Sequence, residues 1–357
     1  MRRGFGLALF VMVAVTVAGV RGGGRAFTAQ DQQPPRHSEH VIVSRVMVDA
    51  RAVDSRGQPI RGLQPSHFRV RVDGRPARVE SVEWVGETGP GARLGTSPAE
   101  TSSVAQGAPA GQREGRLIVL LFQKDLEPSR IVGLMRMLID MREFLDSLGP
   151  DDRIAVLSFD SSLRIWLDFT TNLDKVREVL QHGILFKYPP RVEAVSPPAL
   201  MSTLDIVRAN RAYSMEEVLA LLGQALEPLP GSKSVVLVGH GFGQLSGSTL
   251  NFEAAYAEAR RALQAARAAV FCLDVTNADS HTLEAGLEMT AEDTGGFFAR
   301  THLFPALAMA RLAGALSGHY VLFVEVTTPT RRQVHDLEVD LMGVDGRVLA
   351  KRSYIDQ

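Results

Sequence analysis

The sequence predicts an α/β fold: a doubly wound, mostly parallel sheet with helices on both faces, joined to a small all-β domain made from the N-terminal and C-terminal segments. Three observations point there. Between residues 115 and 317, short apolar runs ("RLIVLLF", "RIAVLSF", "SVVLVG", "VFCLDV") alternate with longer helical stretches. Buried strands separated by helices are what a parallel sheet covered on both faces requires. Either side of that block, "VIVSRVMVDARAV" and "HYVLFVEVTT" carry the two-residue alternation of half-buried strands. Finally, 357 residues at 45% hydrophobic suffice for one large core with a small companion.

Taken in order, the chain opens with Arg2-Arg3 and an apolar run of about sixteen residues. That length fits the core of a secretory signal better than a membrane span of about twenty. Residues 1–29 read as the signal, with cleavage after Gly19 or around Ala29, and an uncleaved anchor helix as the alternative. No cysteine follows the run, which excludes a lipoprotein anchor. Residues 30–40 are a polar, Pro-containing tail that reads as disordered. Residues 41–85 form the N-terminal β unit: strand, turn and strand about Gly57 to Pro59, then a hairpin at Asp73-Gly74, a dipeptide that tolerates positive φ. Residues 86–114 are rich in Gly, Ala, Ser, Thr and Pro and read as a flexible linker. The α/β block occupies 115–317, and 318–357 returns to alternating strands. Each β-rich end has too few strands to stand alone, so the two are expected to pair; the competing arrangement adds "HYVLFVEV" to the edge of the α/β sheet.

Composition excludes several classes of function. A net charge of −1 and the absence of Lys/Arg blocks leave no electrostatic footprint for nucleic acid. The single cysteine, Cys272, lies in "AAVFCLDV" and reads as a buried thiol, so no intramolecular disulfide can form.

The stretch "SVVLVGHGFGQ" carries two readings. An α/β-hydrolase places its nucleophile at the centre of G-x-S-x-G. Gly241 stands there, so the hydrolase reading loses its nucleophile. Asp274 and His281 follow in the order a hydrolase needs, an order attributed here to composition. The second reading comes from elsewhere in the chain. "FLDSLGPDDRIAVLSFDSSLRIWLDFTTNLDKVREVL", "EDTGGFFAR", "GHYVLF" and the N-terminal "VDARAVDSRGQPIRGLQPSHFRVRVDGRPARVESV" resemble the von Willebrand factor A-related proteins described from Acidobacteria.

That resemblance implies a metal-ion-dependent adhesion site: a D-x-S-x-S loop after the first strand, a Thr from a second loop and an Asp after the fourth strand, oxygen ligands for a hard cation. In this chain the first loop is "FQKDLEPSR". Gln123, Asp125 and Glu127 take the D, S and S places, or Asp125, Glu127 and Ser129 do if two residues are inserted. Ser214 falls at the Thr position and His240 at the Asp position. Gln123 offers a neutral amide oxygen and His240 a nitrogen, so the site reads as degenerate, with no cofactor expected and with Mg or Ca, or zinc on His240, Asp125 and Glu127, as the weaker alternatives. The long Pro-containing segment from His182 to Tyr213 precedes the Ser214 position and reads as a site-shaping insertion.

The function expected is therefore an exported, periplasmic or extracellular, non-enzymatic protein-binding or adhesion-type module. Its partner would be a protein or cell-envelope surface met at the carboxyl edge of the sheet, with no nucleic acid and no membrane span after signal cleavage. A scaffold of an envelope complex with a pseudo metal site is the alternative, and a hydrolase comes third.

Overall fold

Apolar strands that run without a polar break form the centre of the molecule, and the alternating strands form a second sheet beside it. The computed structural model describes residues 42–86, 115–192, 197–246, 249–252, 254–328 and 334–355. The signal, tail and linker readings fall on residues outside these, apart from Gly86. In chain order the strands and helices are β1 (Ile42–Val53), β2 (Phe68–Val72), β3 (Arg75–Gly86), β4 (Leu117–Gln123), α1 (Pro128–Asp146), β5 (Arg153–Phe159), β6 (Leu163–Thr170) and α2 (Leu173–Glu178). They continue with α3 (Ile206–Ala209), α4 (Met215–Leu226), β7 (Lys233–Gly239), the small hairpin β8 (Gln244–Ser246) and β9 (Thr249–Asn251), α5 (Ala254–Ala265) and β10 (Ala268–Asp274). The last are α6 (Glu284–Thr294), β11 (Phe298–Arg300), α7 (Pro305–Leu316), β12 (Gly318–Thr328), β13 (Val334–Leu341), β14 (Arg347–Ala350) and β15 (Ser353–Ile355).

The α/β sheet has the order β11-β10-β7-β4-β5-β6. All neighbours are parallel except β6, which runs antiparallel to β5 at the edge. β4, β7 and β10 are buried along their whole lengths because helices cover both faces. On one face α4, α5 and α6 pack a core with Val119, Leu121, Val235 and Leu237. On the other, α1 and α7 pack against Leu120, Phe122, Val236 and Phe271. The chain winds outward from β4 in one direction and from β7 in the other. The carboxyl ends of β4 and β7 therefore flank the switch point where ligands meet such sheets.

The second sheet is antiparallel, with the order β14-β1-β12-β3-β2-β13-β15. β12 pairs with β1 from Ala50↔Tyr320 to Ile42↔Thr328 on one side and with β3 on the other. It does not extend the α/β sheet. The strand expected after the Gly57 to Pro59 turn does not form: the return is a single bridge, Val53↔Pro59, because the chain must leave the sheet to reach Leu63. Asp54 instead closes the turn by accepting from the N–H groups of Arg56 and Gln58, both at 2.8 Å.

The two sheets meet through buried polar contacts. Arg51 on β1 donates to Ala315 O at the end of α7 at 3.2 Å, and its guanidinium lies over the Phe271 ring. Burial pulls its pKa down to about 10, against the opposing charge of Asp49. Asp49 accepts from Arg267 Nε at 2.9 Å. Inside the antiparallel sheet, the buried Tyr320 hydroxyl donates to Ile60 O at 2.9 Å and accepts from Leu63 N at 3.1 Å.

Replacing Tyr320 by Phe removes the one group that satisfies both of these backbone atoms. We expect a loss of about 1–3 kcal/mol, read as a lower denaturant midpoint at unchanged slope.

Candidate functional site

The residues singled out at the metal-site positions lie around the switch point, but most of them are engaged with each other or with backbone. Gln123 ends β4 and is buried. Its Nε2 donates to Gly241 O at 2.8 Å and its Oε1 accepts from His240 N at 3.0 Å. The carboxamide thus acts as a third peptide group, clamping the end of β4 to the turn after β7. A carboxylate could accept from His240 N but could not donate to Gly241 O. A Cβ at position 239 would stand 2.5 Å from Gln123 Oε1, so Gly239 leaves room for the clamp.

The loop after β4 is closed locally. Asp125 Oδ1 accepts from Glu127 N at 3.0 Å and Oδ2 binds the guanidinium of Arg130. Burial pushes the Asp125 carboxyl up, but these two partners outweigh it and hold it below the ordinary carboxylate range. Glu127 stands at the N-cap position of α1 without a side-chain capping bond, and its carboxylate accepts from the Ser129 hydroxyl. Ser214 is the N-cap of α4, its hydroxyl accepting from Glu217 N at 3.2 Å. Among the described residues no hydrogen bond or ion pair joins Ser214 to Gln123, Asp125 or His240.

His240 is only 8% exposed. Its Nε2 lies 3.8 Å from Asp125 Oδ2, and its Nδ1 has no hydrogen-bond partner. Burial, reinforced by the Arg130 charge, lowers its pKa to about 4, so the ring is neutral at pH 7. These residues do not fit a hard cation. The oxygen of Gln123 is committed to His240 N, both oxygens of Asp125 are committed to the loop, and the fourth-strand position offers nitrogen.

Gly241 has φ +92°, and a Cβ there would stand 2.2 Å from Leu283 O. No side chain, and so no nucleophile, fits at the centre of the apparent elbow. Asp274 and His281, whose order in the chain was attributed to composition above, lie in contact in the structure. The fully buried Asp274 ends β10, and its Oδ2 lies 2.8 Å from His281 Nε2. Glu284 completes a cluster whose ligand atoms lie within 4.8 Å of one another, the ligand types of a zinc site. In the structure these atoms already have partners: Asp274 Oδ1 accepts from Thr276 N at 2.9 Å, and Arg300 grips Glu284 with two bonds of 2.8 Å. The sequence signal that marks the cluster is an Asp at the end of a fully apolar strand with His and Glu following in the next loop and helix.

No family model matches the chain, and no curated protein matches it. Solved structures with a related chain path include BatB from Bacteroides thetaiotaomicron, at 17% identity and TM-score 0.37, covering 57% of this chain and 97% of that one. An aerotolerance-related membrane protein from Bacteroides fragilis shows 14% identity and TM-score 0.36, covering 57% and 98%. A von Willebrand factor type A protein from Catenulispora acidiphila shows 10% identity and TM-score 0.40, covering 90% and 74%. Likenesses this distant carry nothing about function.

Two outcomes follow for the site. Glu at position 123 should destabilise the fold by about 1–3 kcal/mol at neutral pH, since Gly241 O loses its donor. Part of that loss should return in acid, where the protonated carboxyl can donate again, and urea midpoints across pH would show it. Because the folded imidazole of His240 titrates near 4 and the unfolded one near 6.5, the unfolded state binds the proton first as pH falls. Stability from this group is complete above 6.5 and drains away towards 4, so His240→Asn should flatten the loss over that window in pH-dependent thermal melts.

Proposed function

We propose that this chain is a non-enzymatic interaction module of the von Willebrand factor A type, exported from the cell, that meets a protein partner without a bound metal ion. The observation that carries the reading is an exposed apolar surface beginning at the carboxyl edge of the sheet. Leu126, in the loop beside Asp125, is 84% exposed. Val132, Met135 and Ile139 continue from it along one side of α1 at helical spacing. Leu303, Phe304 and Leu307 are exposed where the chain leaves β11 and enters α7, the helix that packs beside α1. Arg136 joins the two by donating to His302 O at 2.7 Å. Apolar residues gathered on neighbouring elements mark protein interaction sites, whereas single exposed ones do not.

Support for the absence of enzymatic chemistry is the Gly241 turn, which admits no side chain. Support for a metal-free rim is the Gln123 clamp. Support for export is the apolar run after Arg2-Arg3. Among the described residues no helix is long and apolar enough to cross a membrane.

A photo-crosslinking side chain placed at Ile139 or Leu307 should give discrete protein adducts in the native envelope, equally with magnesium and with EDTA. The same probe at Glu227, beyond the far end of α4, should give none. Equal labelling at all three positions would remove the assignment of this surface, and loss of the adducts in EDTA would remove the metal-free reading.

A further inference from the structure

A second surface, lying over β5 and β6 and bordered by Lys124 of the first loop, has the chemistry of a ligand site. A cleft of about 560 Å³ opens over β5 and β6, walled by the segment that follows α2. Its volume lies within the range of about 300–1,000 Å³ usual for ligand pockets. Arg164 and Trp166, two residues apart on β6, face the same side of the sheet and form its base with Ser158 on β5. The indole Nε1 donates to Ser158 Oγ at 2.9 Å, which fixes the ring.

The wall is also fixed. Ile184 is fully buried, and the N–H groups of Phe186 and Lys187 donate to Gly183 O at 3.0 and 2.9 Å. Gly183 lies flat on the Trp166 ring, where a Cβ would come within 3.2 Å of the indole. From this anchored turn Phe186 and Tyr188 project into solvent, 71% and 96% exposed. The side chains of Arg164 and Lys187 have no hydrogen-bond or ion-pair partner among the described residues. Lys124 pairs with Asp160 at 3.2 Å, so among the described residues the one lining carboxylate is already neutralised and the charges of Arg164 and Lys187 remain uncompensated.

We propose that this cleft binds an acidic peptide segment of a partner protein, its carboxylates on Arg164 and Lys187 and an apolar or aromatic side chain between Phe186 and Tyr188. Exposed aromatics beside an unpaired arginine are the composition of binding hot spots. The guanidinium supplies the planar fork that carboxylates prefer. A rigid wall keeps the ordering cost of binding low. The site does not depend on export or on the apolar patch, and it would bind whether or not those readings hold.

The test is fluorescence anisotropy of the full chain with a labelled glutamate-rich peptide carrying one central phenylalanine. Binding should weaken between about 50 mM and about 300 mM NaCl, as screening shortens the reach of the charges. Arg164→Glu with Lys187→Glu should weaken it by about tenfold or more, and Tyr188→Ala by about threefold or more. All three residues are exposed, so the variants should keep the wild-type melting temperature. The proposal is overturned if the charge-reversed protein binds the peptide as wild type does, or if wild type does not bind it. It is equally overturned if a heparin oligosaccharide binds through these residues while the peptide does not, which would make the site one for an anionic glycan.

Discussion

Everything in the antiparallel sheet depends on β12. It leaves α7 through a single residue, Ser317, and enters the space between β1 and β3, which do not touch each other. Without it the N-terminal strands have no common partner, and a sheet of so few strands does not hold in water. The pairing spans more than two hundred residues of sequence, as in Ala50↔Tyr320. Closing so long a loop is entropically affordable only because the α/β block folds compactly between the two ends. Arg51 and Arg116 reinforce the junction, each donating to a carbonyl at the end of α7, Ala315 O and Leu316 O. There the helix macrodipole is negative, and the carbonyls of Ala315 and Leu316 find their partners outside the helix. The α/β block thus serves both as the carrier of the switch-point edge and as the connector that completes the smaller sheet.

At the edge itself the governing contact is the Gln123 carboxamide. It needs one donor and one acceptor, and the backbone of residues 240 and 241 supplies both complements. Gly239 gives it space and Gly241 lets the chain turn beneath Leu283. These three residues work as a set, so the departures from a metal-site pattern belong to one coherent arrangement of hydrogen bonds. An Asp at 123 would be shorter and would lack the donor. The arrangement also explains why His240 can be buried and neutral: its backbone N–H is bound by Gln123 while its ring is held away from solvent beside Arg130.

The parallel strands were legible because each is a run of consecutive apolar residues, a pattern that only a strand buried on both faces produces. β6 was legible as a strand but its direction was not, since "LRIWLDF" reads the same way in either sense and only pairing decides it. The missing strand after Pro59 failed for a similar reason: alternation in "PIRGL" is too short to separate a strand from a chain passing over the sheet. At the site, Gln123, Asp125 and His240 were placed near one another by the strand ends that carry them, but their hydrogen bonds run partly to backbone, which no residue pattern encodes. Ser214 was legible as the residue before a helix, and its cap to Glu217 N is the local role that position favours. The contact of Asp274 with His281 was missed because a loop of irregular conformation sets the distance between them. The apolar stripe of α1 was hidden in a helix with apolar residues on more than one side, where the buried set Leu134, Met137, Leu138 and Met141 accounts for the periodicity first.

On the proposed reading as an interaction module, a rigid edge limits what recognition can consist of. The site that the resemblance implies would gather a hard cation on oxygen ligands. Here the corresponding charges are already paired within the loop, Asp125 with Arg130, and the strand end is tied to its neighbour by Gln123. Little differential interaction remains at this point through which a ligand could favour one loop arrangement over another, and a ligand shifts an equilibrium only by its differential affinity. For the proposed module, binding energy would then come from surfaces that exist before a partner arrives. The anchored helices α1 and α7 and the Gly183-anchored wall over Trp166 are surfaces of that kind: each exposes large side chains from backbone that is itself packed on the core. At the positions where the resemblance implies cation ligands this chain carries a clamp that fixes the edge, so the proposed partner would meet preformed shape and charge.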